Sequence, residues 1–255
     1  MPNPKKLPEY TLKTLHGFYL NINPAIDNGV ELSLHETGTY EKGILYYLSS
    51  ILKKGDCFID VGANIGLMSI YASEFVGDKG TVLAFEAHPK TARLLEANIE
   101  MNNLSNIQVC QYALGSSEGK TFIYDNWQVN RGGASLVVKT ADSEAYEIDV
   151  HCLDYSLQTN LIPKALKIDV EGFEMEVLKG AVNTIRTFHP VLIIELSENR
   201  SNTYASSEEL IDFVKSLGNY QIFKLKGGKE RKSKLVEITA NDQLPKHDNV
   251  ICIHQ

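Results

Sequence analysis

The sequence has 255 residues, of which 43% are hydrophobic, and its formal net charge at pH 7 is -7. That length and apolar content suit one large α/β domain, or one domain with a modest extension, and allow a full hydrophobic core. The negative charge argues against a nucleic-acid-binding surface, and no run approaches the ~20 apolar residues that a membrane span needs.

The four cysteines, Cys57, Cys110, Cys152 and Cys252, lie singly in apolar or alternating stretches and form no CxxC pair. Buried free thiols in a reducing compartment are the simplest interpretation, and this spacing does not suit a zinc site. The first ten residues contain no apolar run typical of a secretion signal. We therefore expect a cytoplasmic protein.

Residues 1–54 are expected to form an extension to the main domain. Short strands are predicted around residues 18–22, and a helix is predicted over about residues 39–52. The sequence leaves open whether this extension contributes a homodimer contact or a wall of the binding site.

From about residue 55 the sequence alternates between strand-like and helix-like segments. Strands are predicted at residues 57–61, 81–85 and 107–112, and helices over residues 65–75 and 89–101. Residues 119–150 interrupt the alternation as a small β insertion, with short antiparallel strands predicted at 121–124, 135–139 and 146–150.

After the insertion the alternation resumes. Strands are predicted at residues 165–168, 191–194, 220–225 and 249–254, and helices over residues 173–187 and 206–217. The strand at 191–194 is expected to end at Glu195, and the basic run at 224–234 is interpreted as a solvated loop or hairpin tip. The whole pattern predicts an α/β fold in which helices cover both faces of a mostly parallel sheet.

Ligands of such sheets bind beyond the carboxyl ends of the strands, which directs attention to the segment DVGANIG at residues 60–66. A glycine loop that runs into a helix exposes backbone N–H groups at a positive helix end, which suits an anion. Asn64 stands where the dinucleotide fingerprint has its second glycine. Its β-carbon disfavours a pyrophosphate but leaves room for an amino-acid carboxylate.

Acidic residues at two strand ends narrow the choice of ligand. Asp60 would repel phosphates and suit a cation, and Glu86 can accept hydrogen bonds from both ribose hydroxyls. A ligand with an ammonium, a carboxylate and a nucleoside matches S-adenosylmethionine. We expect cofactor contacts from the loop and the neighbouring strand ends, at Asp60, Gly62, Ala63, Asn64, Gly66, Glu86, Ala113 and Asp169.

At these residues the sequence resembles the FkbM-type class I methyltransferases, from about residue 56 to residue 196. The shared motifs are DVGANIG (60–66), AFE (84–86), Asn98, ALG (113–115), LKIDVEGFEMEVLKGA (166–181) and PVLIIE (190–195). The chain departs from the family where FEP often follows the second strand, since it has Ala87 after Glu86 and a proline two residues later.

The resemblance implies a Rossmann-like, seven-stranded, mostly parallel sheet whose last strand is antiparallel, the class I methyltransferase fold. It also implies S-adenosylmethionine as methyl donor, usually for O-methylation of a hydroxyl on a sugar or natural product.

Methyl transfer requires in-line alignment, exclusion of water and a group that takes the acceptor's proton. Asp169 and Glu171 follow a predicted strand, and residues two apart on an extended segment point the same way. We expect Asp169 near the methionine part of the cofactor and Glu171 as a polar contact or base. The alternative for Glu171 is an acid stabilised by a helix dipole. Glu195 either completes an acidic trio or caps its strand.

The trio of Asp169, Glu171 and Glu195 would also suit a hard cation such as Mg²⁺, and the sequence leaves metal dependence open.

Candidate acceptor contacts lie in the insertion. Trp127, Asn130 and Arg131 offer an aromatic face, an amide and a guanidinium to a sugar ring, although a hairpin tip also contains turn residues. Residues 125–134 are a candidate lid. His88 is predicted either to line the pocket or to pack at a helix start.

Several functions stay open at this point. The favoured one is a small-molecule O-methyltransferase that acts on a saccharide, glycolipid or natural product. The alternatives are methylation of a protein or a nitrogen, and a nucleotide-binding module without catalysis. A nicotinamide oxidoreductase is disfavoured because of Asn64 and Asp60.

Overall fold

The computed structural model describes residues 7–124, 144–197 and 205–255. Its strands are β1 (Tyr10–Lys13), β2 (Tyr19–Ile22), β3 (Cys57–Val61), β4 (Thr81–Phe85), β5 (Ile107–Cys110), β6 (Ala113–Leu114), β7 (Gly119–Tyr124), β8 (Ala145–His151), β9 (Pro163–Ile168), β10 (Val191–Ser197), β11 (Tyr220–Leu225), β12 (Leu235–Glu237) and β13 (His247–His254). Its α-helices are α1 (Val30–Thr37), α2 (Lys42–Ile51), α3 (Leu67–Val76), α4 (Pro89–Met101), α5 (Leu153–Ser156), α6 (Glu174–Lys179), α7 (Val182–Phe188) and α8 (Ser207–Leu217). Within these ranges, no helix has the length and apolar character needed to cross a membrane.

The central sheet has eight strands in the order β12-β11-β13-β10-β9-β3-β4-β5. Strands β5, β4, β3, β9 and β10 run parallel, and β13 is antiparallel to both of its neighbours, β10 and β11. The predicted mostly parallel sheet with an antiparallel final strand is confirmed. The short strand β12 adds an eighth strand at one edge, which was not predicted.

Helices cover both faces of this sheet because its inner strands are apolar on both sides. All five residues of β3 are buried. Ile59 and Val61 belong to the core formed with α5–α8, whereas Phe58 belongs to the core formed with α2 and α3. The alternation of the strand thus divides β3 between two cores, as expected for a parallel sheet covered on both faces.

The N-terminal segment packs into these cores. Leu20 of β2 and Leu34 of α1 share a buried cluster with Ile65 and Leu95, and α2 packs in the cluster that contains Phe58. A strand near residues 18–22 and a helix within residues 39–52 were predicted, whereas β1 and α1 were not. The boundary between an extension and a main domain at residues 54 and 55 stays a prediction.

A second, small sheet in the order β6-β8-β7 joins β7 and β8, the strands of the insertion, to β6, which precedes the insertion. Strands β7 and β8 are antiparallel, which confirms the predicted strands at residues 121–124 and 146–150. The predicted strand at 135–139 and the candidate lid at 125–134 lie outside the described residues, and so do Trp127, Asn130 and Arg131.

Besides shifts of a few residues at element ends, two predictions were wrong. The single helix expected over residues 173–187 is two helices. The Asp154 carboxylate accepts hydrogen bonds from the N–H groups of Asn183 and Thr184, which satisfies backbone donors at the start of α7 as a separate helix. Glu195 does not end its strand. It lies within β10, paired with Asn249 of β13.

The loops that follow the neighbouring strands β3 and β9 are in close contact at Gly62. Gly62 has φ 84°, and a β-carbon there would lie 1.9 Å from the carbonyl oxygen of Asp169. The N–H groups of Gly62 and Ala63 both donate to the carbonyl of Phe85 at 2.9 Å, and the Asp169 N–H donates to Val61 at 3.0 Å. The first glycine of the loop is therefore required because the loop after β3 packs directly against the backbone of Asp169.

We expect Gly62→Ala to lower the free energy of unfolding by about 3 kcal/mol, because the methyl group meets backbone and the residue keeps a left-handed conformation. Chemical denaturation of both proteins measures this. Gly119→Ala is the matched control, since no atom of the described residues beyond its chain neighbours lies within 4 Å of a β-carbon there. Equal stability of the two variants would contradict the close contact between Gly62 and the Asp169 carbonyl.

A buried amide connects the end of the glycine loop to the N-terminal segment. The Nδ2 of Asn98 donates to the carbonyl of Ile65 at 2.8 Å, and its Oδ1 accepts from the N–H of Asn21 at 2.8 Å. Asn98 is fully buried in α4. Its side chain therefore satisfies two backbone groups that come from distant parts of the sequence.

We expect Asn98→Ala to lower the free energy of unfolding by about 1–3 kcal/mol, because a buried N–H and a buried C=O lose their partners. Asn183→Ala, at an exposed asparagine in α7, is the control and should change stability little. A similar decrease in the free energy of unfolding in both variants, measured by denaturant unfolding, would show that the Asn98 hydrogen bonds do not stabilise the fold more than an exposed asparagine does.

Candidate functional site

A cleft opens at the carboxyl ends of the parallel strands and encloses about 1170 Å³, its mouth included. Most of the residues selected from sequence line it, namely Asp60, Gly62, Ala63, Asn64, Glu86, Ala113, Asp169, Glu171 and Glu195. Gly66 and His88 are not among its lining residues. The remaining wall includes Gly29, Val30, Tyr40 and Glu41 from the N-terminal segment, so this segment forms part of the site.

The glycine loop is held by hydrogen bonds within the protein. Gly62 and Ala63 donate to Phe85, and the N–H of Asn64 donates to Glu86 Oε2 at 2.9 Å. These amides are used by the protein, so the expected anion cradle is not formed by them. Asn64 has φ 50°, a conformation that asparagine tolerates better than most residues. Gly66 leaves space for Leu95, whose Cδ1 would lie 2.6 Å from a β-carbon at residue 66.

Glu86 is fixed by two backbone donors. Its Oε2 accepts from Asn64 and its Oε1 accepts from the N–H of His88, both at 2.9 Å. Burial raises the pKa of Glu86 to about 7, against the opposing effect of these two hydrogen bonds. A carboxylate has about four acceptor positions, so Glu86 can still accept from two hydroxyl groups of a ligand.

Asp60 presents a buried carboxylate to the cleft. It is 1% exposed, and its Oδ2 accepts from the Ser69 hydroxyl at 2.6 Å. Among the described residues, no hydrogen-bond donor reaches its Oδ1. Burial raises the pKa of Asp60, and the positive charge of Lys167 opposes this rise. A buried carboxylate oxygen without a donor indicates a place for a ligand N–H or cation.

Beside Asp60 lies a group of carboxylates and two lysines, which we call the charge cluster: Glu41, Asp169, Glu195, Lys167 and Lys229. All of them except Lys229 line the cleft. Lys167 Nζ lies 2.8 Å from Asp169 Oδ2 and 3.9 Å from Glu41 Oε2. Lys229 Nζ lies 3.0 Å from Glu41 Oε1 and 2.8 Å from Glu195 Oε1. Each ammonium therefore bridges two carboxylates, with Glu41 common to both.

The environment separates the two strand-end acids of the cluster. Burial and the charge of Asp169 raise the pKa of Glu195 to about 8, although Lys229 opposes the rise. Burial acts on Asp169 in the same direction, but Lys167 outweighs it and holds the pKa of Asp169 at about 2. Adjacent acids with separated pKa values are typical of sites in which one residue transfers a proton and the other stays charged.

The sequence reasoning missed Glu41 and Lys229. Lys229 belongs to the basic run interpreted as a solvated loop or hairpin tip. The run does connect the antiparallel strands β11 and β12, but Lys229 itself is only 9% exposed. Its ammonium lies 5.7 Å from the ring centre of Tyr40. Glu41 precedes α2 with φ 45°, a strained value for a glutamate. No local pattern identifies either residue, because the two lie far apart in sequence and only the fold brings them into contact.

Glu171 lies in the same cleft but outside the set of closest acids. The carboxylates whose oxygens lie within 4.8 Å of one another are Glu41, Asp169 and Glu195, so Glu41 takes the place expected for Glu171 in the trio. Glu171 has φ 54° and Gly172 has φ 106°, so this segment is not extended as expected. The charge of Glu171 still raises the pKa of Glu195, after the larger effects of burial and Asp169.

The contacts of Glu41, Asp169 and Glu195 argue against a Mg²⁺ site at these carboxylates. Asp169 and Glu195 each have a lysine ammonium at 2.8 Å, where a hard cation would have to compete with a fixed positive charge. These carboxylates therefore fit the two lysines better than they fit a divalent metal ion.

His88 packs behind the cleft. It is fully buried, and its ring meets the Tyr146 ring edge-on with centroids 4.9 Å apart. Its Nδ1 lies 3.4 Å from the Thr91 hydroxyl. His88 therefore packs at the start of α4 and does not line the cleft.

Comparison with known proteins gives the family and supports the fold described above. The family model described as "Methyltransferase FkbM domain" matches residues 60–220. The crystal structure of Methyltransferase FkbM from Methylobacillus flagellatus KT is similar, with a TM-score of 0.53 and 20% identity over 83% of this chain and 47% of that one. This similarity supports the class I methyltransferase fold.

Three curated relatives are similar at the sequence level. "Methyltransferase 1" of Beauveria bassiana is 27% identical over 62% of this chain and 71% of its own length. "Hexuronic acid methyltransferase AglP" of Haloferax volcanii is 28% identical over 60% of this chain and 61% of its own length. "Methyltransferase sdnD" of Sordaria araneosa is 30% identical over 52% of this chain and 48% of its own length, so the match spans less than two thirds of these last two relatives.

The family match covers more than half of the chain and includes the glycine loop, Glu86, Asp169 and Glu195. The resemblance inferred from the motifs is thereby confirmed, and the chain belongs to the FkbM family of methyltransferases.

Proposed function

We propose that this protein transfers a methyl group from S-adenosylmethionine to a hydroxyl of a saccharide, glycolipid or natural product. The observation that carries the proposal is the cleft at the strand ends, in which carboxylate oxygens of Asp169 and Glu195 lie within 4.8 Å of each other and which Asp60 and Glu86 also line. Burial and Asp169 raise the pKa of Glu195, whereas Lys167 lowers that of Asp169. A hydroxyl acceptor must lose a proton during transfer, and a carboxylate with a raised pKa is suited to take it.

The cleft residues fit the cofactor. S-adenosylmethionine, when bound, supplies an electrophilic methyl group on a positively charged sulfur. Glu86 has two acceptor positions left for the ribose hydroxyls, and the Oδ1 of Asp60 can accept from the ammonium group. Asn64 and Ala113 line the same cleft and would bound the ligand.

In the proposed mechanism Glu195 acts as the base. Its carboxylate would accept the proton of the acceptor hydroxyl, and the bound cofactor would supply the methyl group to the same oxygen. Asp169 stays ionised beside Lys167, and its negative charge helps to raise the pKa of Glu195. Tyr40 and Glu41 narrow this part of the cleft, which limits the access of water.

The acceptor class rests on a relative and on the site. AglP of Haloferax volcanii is described as a hexuronic acid methyltransferase, which supports a sugar-derived acceptor. Carboxylates that line the cleft are good hydrogen-bond acceptors for sugar hydroxyls. A saccharide is therefore the first acceptor class to test.

Calorimetric titration tests the cofactor assignment. We expect wild-type protein to bind S-adenosylmethionine with micromolar affinity and NADH not at all, and we expect Glu86→Ala and Asp60→Asn to lose at least about tenfold in affinity because each removes a charged hydrogen-bond acceptor.

Glu96→Ala is the matched control, since Glu96 is exposed on α4 and does not line the cleft. Thermal unfolding of each variant checks that it folds. Absence of cofactor binding by the wild type would reject the methyltransferase assignment for this chain. Tight cofactor binding without turnover on a broad acceptor panel would instead favour the nucleotide-binding module.

The role of Glu195 predicts a pH dependence. Since the deprotonated form is the base and burial raises its pKa to about 8, kcat/KM should rise with pH up to about 8 and then level off. Glu195→Gln should lower kcat by about 10²–10⁴-fold with a smaller effect on cofactor affinity. The measurement is transfer of a radiolabelled methyl group to the saccharide acceptors found in the panel.

Glu209→Gln, an exposed glutamate in the first turn of α8, serves as the control for this series. A Glu195→Gln variant with wild-type kcat and an unchanged pH profile would remove Glu195 from the mechanism.

A further inference from the structure

Glu41 brings a carboxylate from the N-terminal segment to the cleft, and its two oxygens have different surroundings. The Oε1 lies 3.0 Å from Lys229 Nζ and accepts from the Nδ2 of Asn249, also at 3.0 Å. Among the described residues, no hydrogen-bond donor reaches the Oε2, since the ammonium of Lys167 lies 3.9 Å away, beyond hydrogen-bond distance. One oxygen of Glu41 is therefore held by the protein and the other still has acceptor capacity.

This acceptor oxygen belongs to a buried side chain. Glu41 is only 1% exposed, although it lines the cleft. A buried acceptor without a donor costs free energy, and an instance in a native structure calls for an explanation. The Oδ1 of Asp60 is in the same situation and fits the ammonium of the cofactor. The Oε2 of Glu41 is therefore a second point at which a ligand would donate a hydrogen bond.

The position of Glu41 indicates which ligand this is. Carboxylate oxygens of Glu41, Asp169 and Glu195 lie within 4.8 Å of one another. In the proposed mechanism the acceptor hydroxyl gives its proton to Glu195. A donor to Glu41 therefore belongs to the acceptor molecule, close to the hydroxyl that is methylated.

The reacting hydroxyl cannot itself satisfy Glu41. A hydroxyl has one hydrogen to donate, and that hydrogen goes to Glu195, so Glu41 requires a second donor. A hydrogen bond from a hydroxyl to a carboxylate spans about 2.5–2.7 Å. Two hydroxyls on adjacent carbons of one ring can therefore reach both carboxylates at once.

We propose that the protein selects acceptors that carry a vicinal diol, in which Glu195 takes the proton of the hydroxyl that is methylated and Glu41 Oε2 accepts from the hydroxyl on the neighbouring carbon. The inference rests on the proposed function and names the acceptor more closely. An acceptor without the second hydroxyl leaves Glu41 Oε2 buried and without a donor. A site that is built to bind a hydroxyl rejects the analogue that lacks it for this reason.

Glu41→Gln tests the role of this oxygen. The two donors at Oε1, Lys229 and Asn249, retain the amide oxygen there, so the amide N–H₂ takes the place of Oε2 and an acceptor becomes a donor. Each lysine of the charge cluster keeps a carboxylate at 2.8 Å, Asp169 for Lys167 and Glu195 for Lys229.

Glu36→Gln is the matched control. Glu36 is exposed on α1 of the same N-terminal segment and does not line the cleft, and its replacement makes the same change in net charge. Thermal unfolding of both variants checks that they fold.

The experiment measures methyl transfer by the full chain from S-adenosylmethionine to the methyl glycosides of glucose, mannose, galactose and glucuronic acid. Nuclear magnetic resonance of the product identifies the methylated position. The best acceptor is then compared with its two monodeoxy analogues, each of which lacks the hydroxyl on one carbon next to that position.

We expect one of the two deoxy analogues to have a kcat/KM about 10- to 100-fold below that of the parent glycoside with the wild-type protein, because a hydrogen bond to a charged group is lost. In Glu41→Gln this preference for the parent should fall to about threefold or less. Glu36→Gln should keep the full preference of the wild type.

Equal kcat/KM values of the wild type for the parent and for both deoxy analogues would overturn the inference and leave the proposed function intact. So would a Glu41→Gln variant that keeps the full preference and instead loses affinity for S-adenosylmethionine in calorimetry, because the donor would then be the cofactor. If Glu41→Gln does not fold, the deoxy series with the wild type decides. Methylation of none of the glycosides, despite cofactor binding, would reject the saccharide acceptor of the proposed function and the inference with it.

Discussion

Buried carboxylates and two lysines meet where β3, β9 and β10 approach the cleft, and much of the surrounding structure is arranged around their charges. Taking a charge out of water is unfavourable unless a partner compensates it, and loss of one partner from a buried pair typically costs about 3–5 kcal/mol. Lys167 and Lys229 each bridge two carboxylates, and both lysines are almost fully buried. Any rearrangement of Glu41 would therefore affect both ammonium groups at once.

This constraint explains why distant parts of the chain are joined at the site. Glu41 comes from the segment before α2, and Lys229 comes from the connection between β11 and β12. Their ion pair is reinforced by backbone contact, since the N–H of Gly43 donates to the Lys229 carbonyl at 2.7 Å. Asn249 of β13 also donates to Glu41, at 3.0 Å. The N-terminal segment is thus fixed to the edge of the sheet and forms one wall of the cleft.

The local motifs identified many of the parts but not always the reason for them. The glycine loop was recognised as unusual because two glycines separate a strand from a helix, and the expected reason was a ligand. The structure gives Gly62 a different reason, the carbonyl of Asp169 at a distance where no β-carbon fits, and gives Gly66 the packing of Leu95. Glu86 was selected as a strand-end acid, and it does line the cleft, but it also fixes the loop through the N–H of Asn64.

The sequence by itself determined most of the strands and helices of the main sheet, its mostly parallel character and the strand-end acids, because hydrophobic periodicity and glycine position act within short stretches of chain. Only the tertiary structure decided which charges meet. Glu41 and Lys229 carry no local signal, and Glu195 acquires a pKa of about 8 only because burial and Asp169 act on it together. Burial and electrostatic interactions depend on distances between residues far apart in sequence, and folding alone brings those residues together.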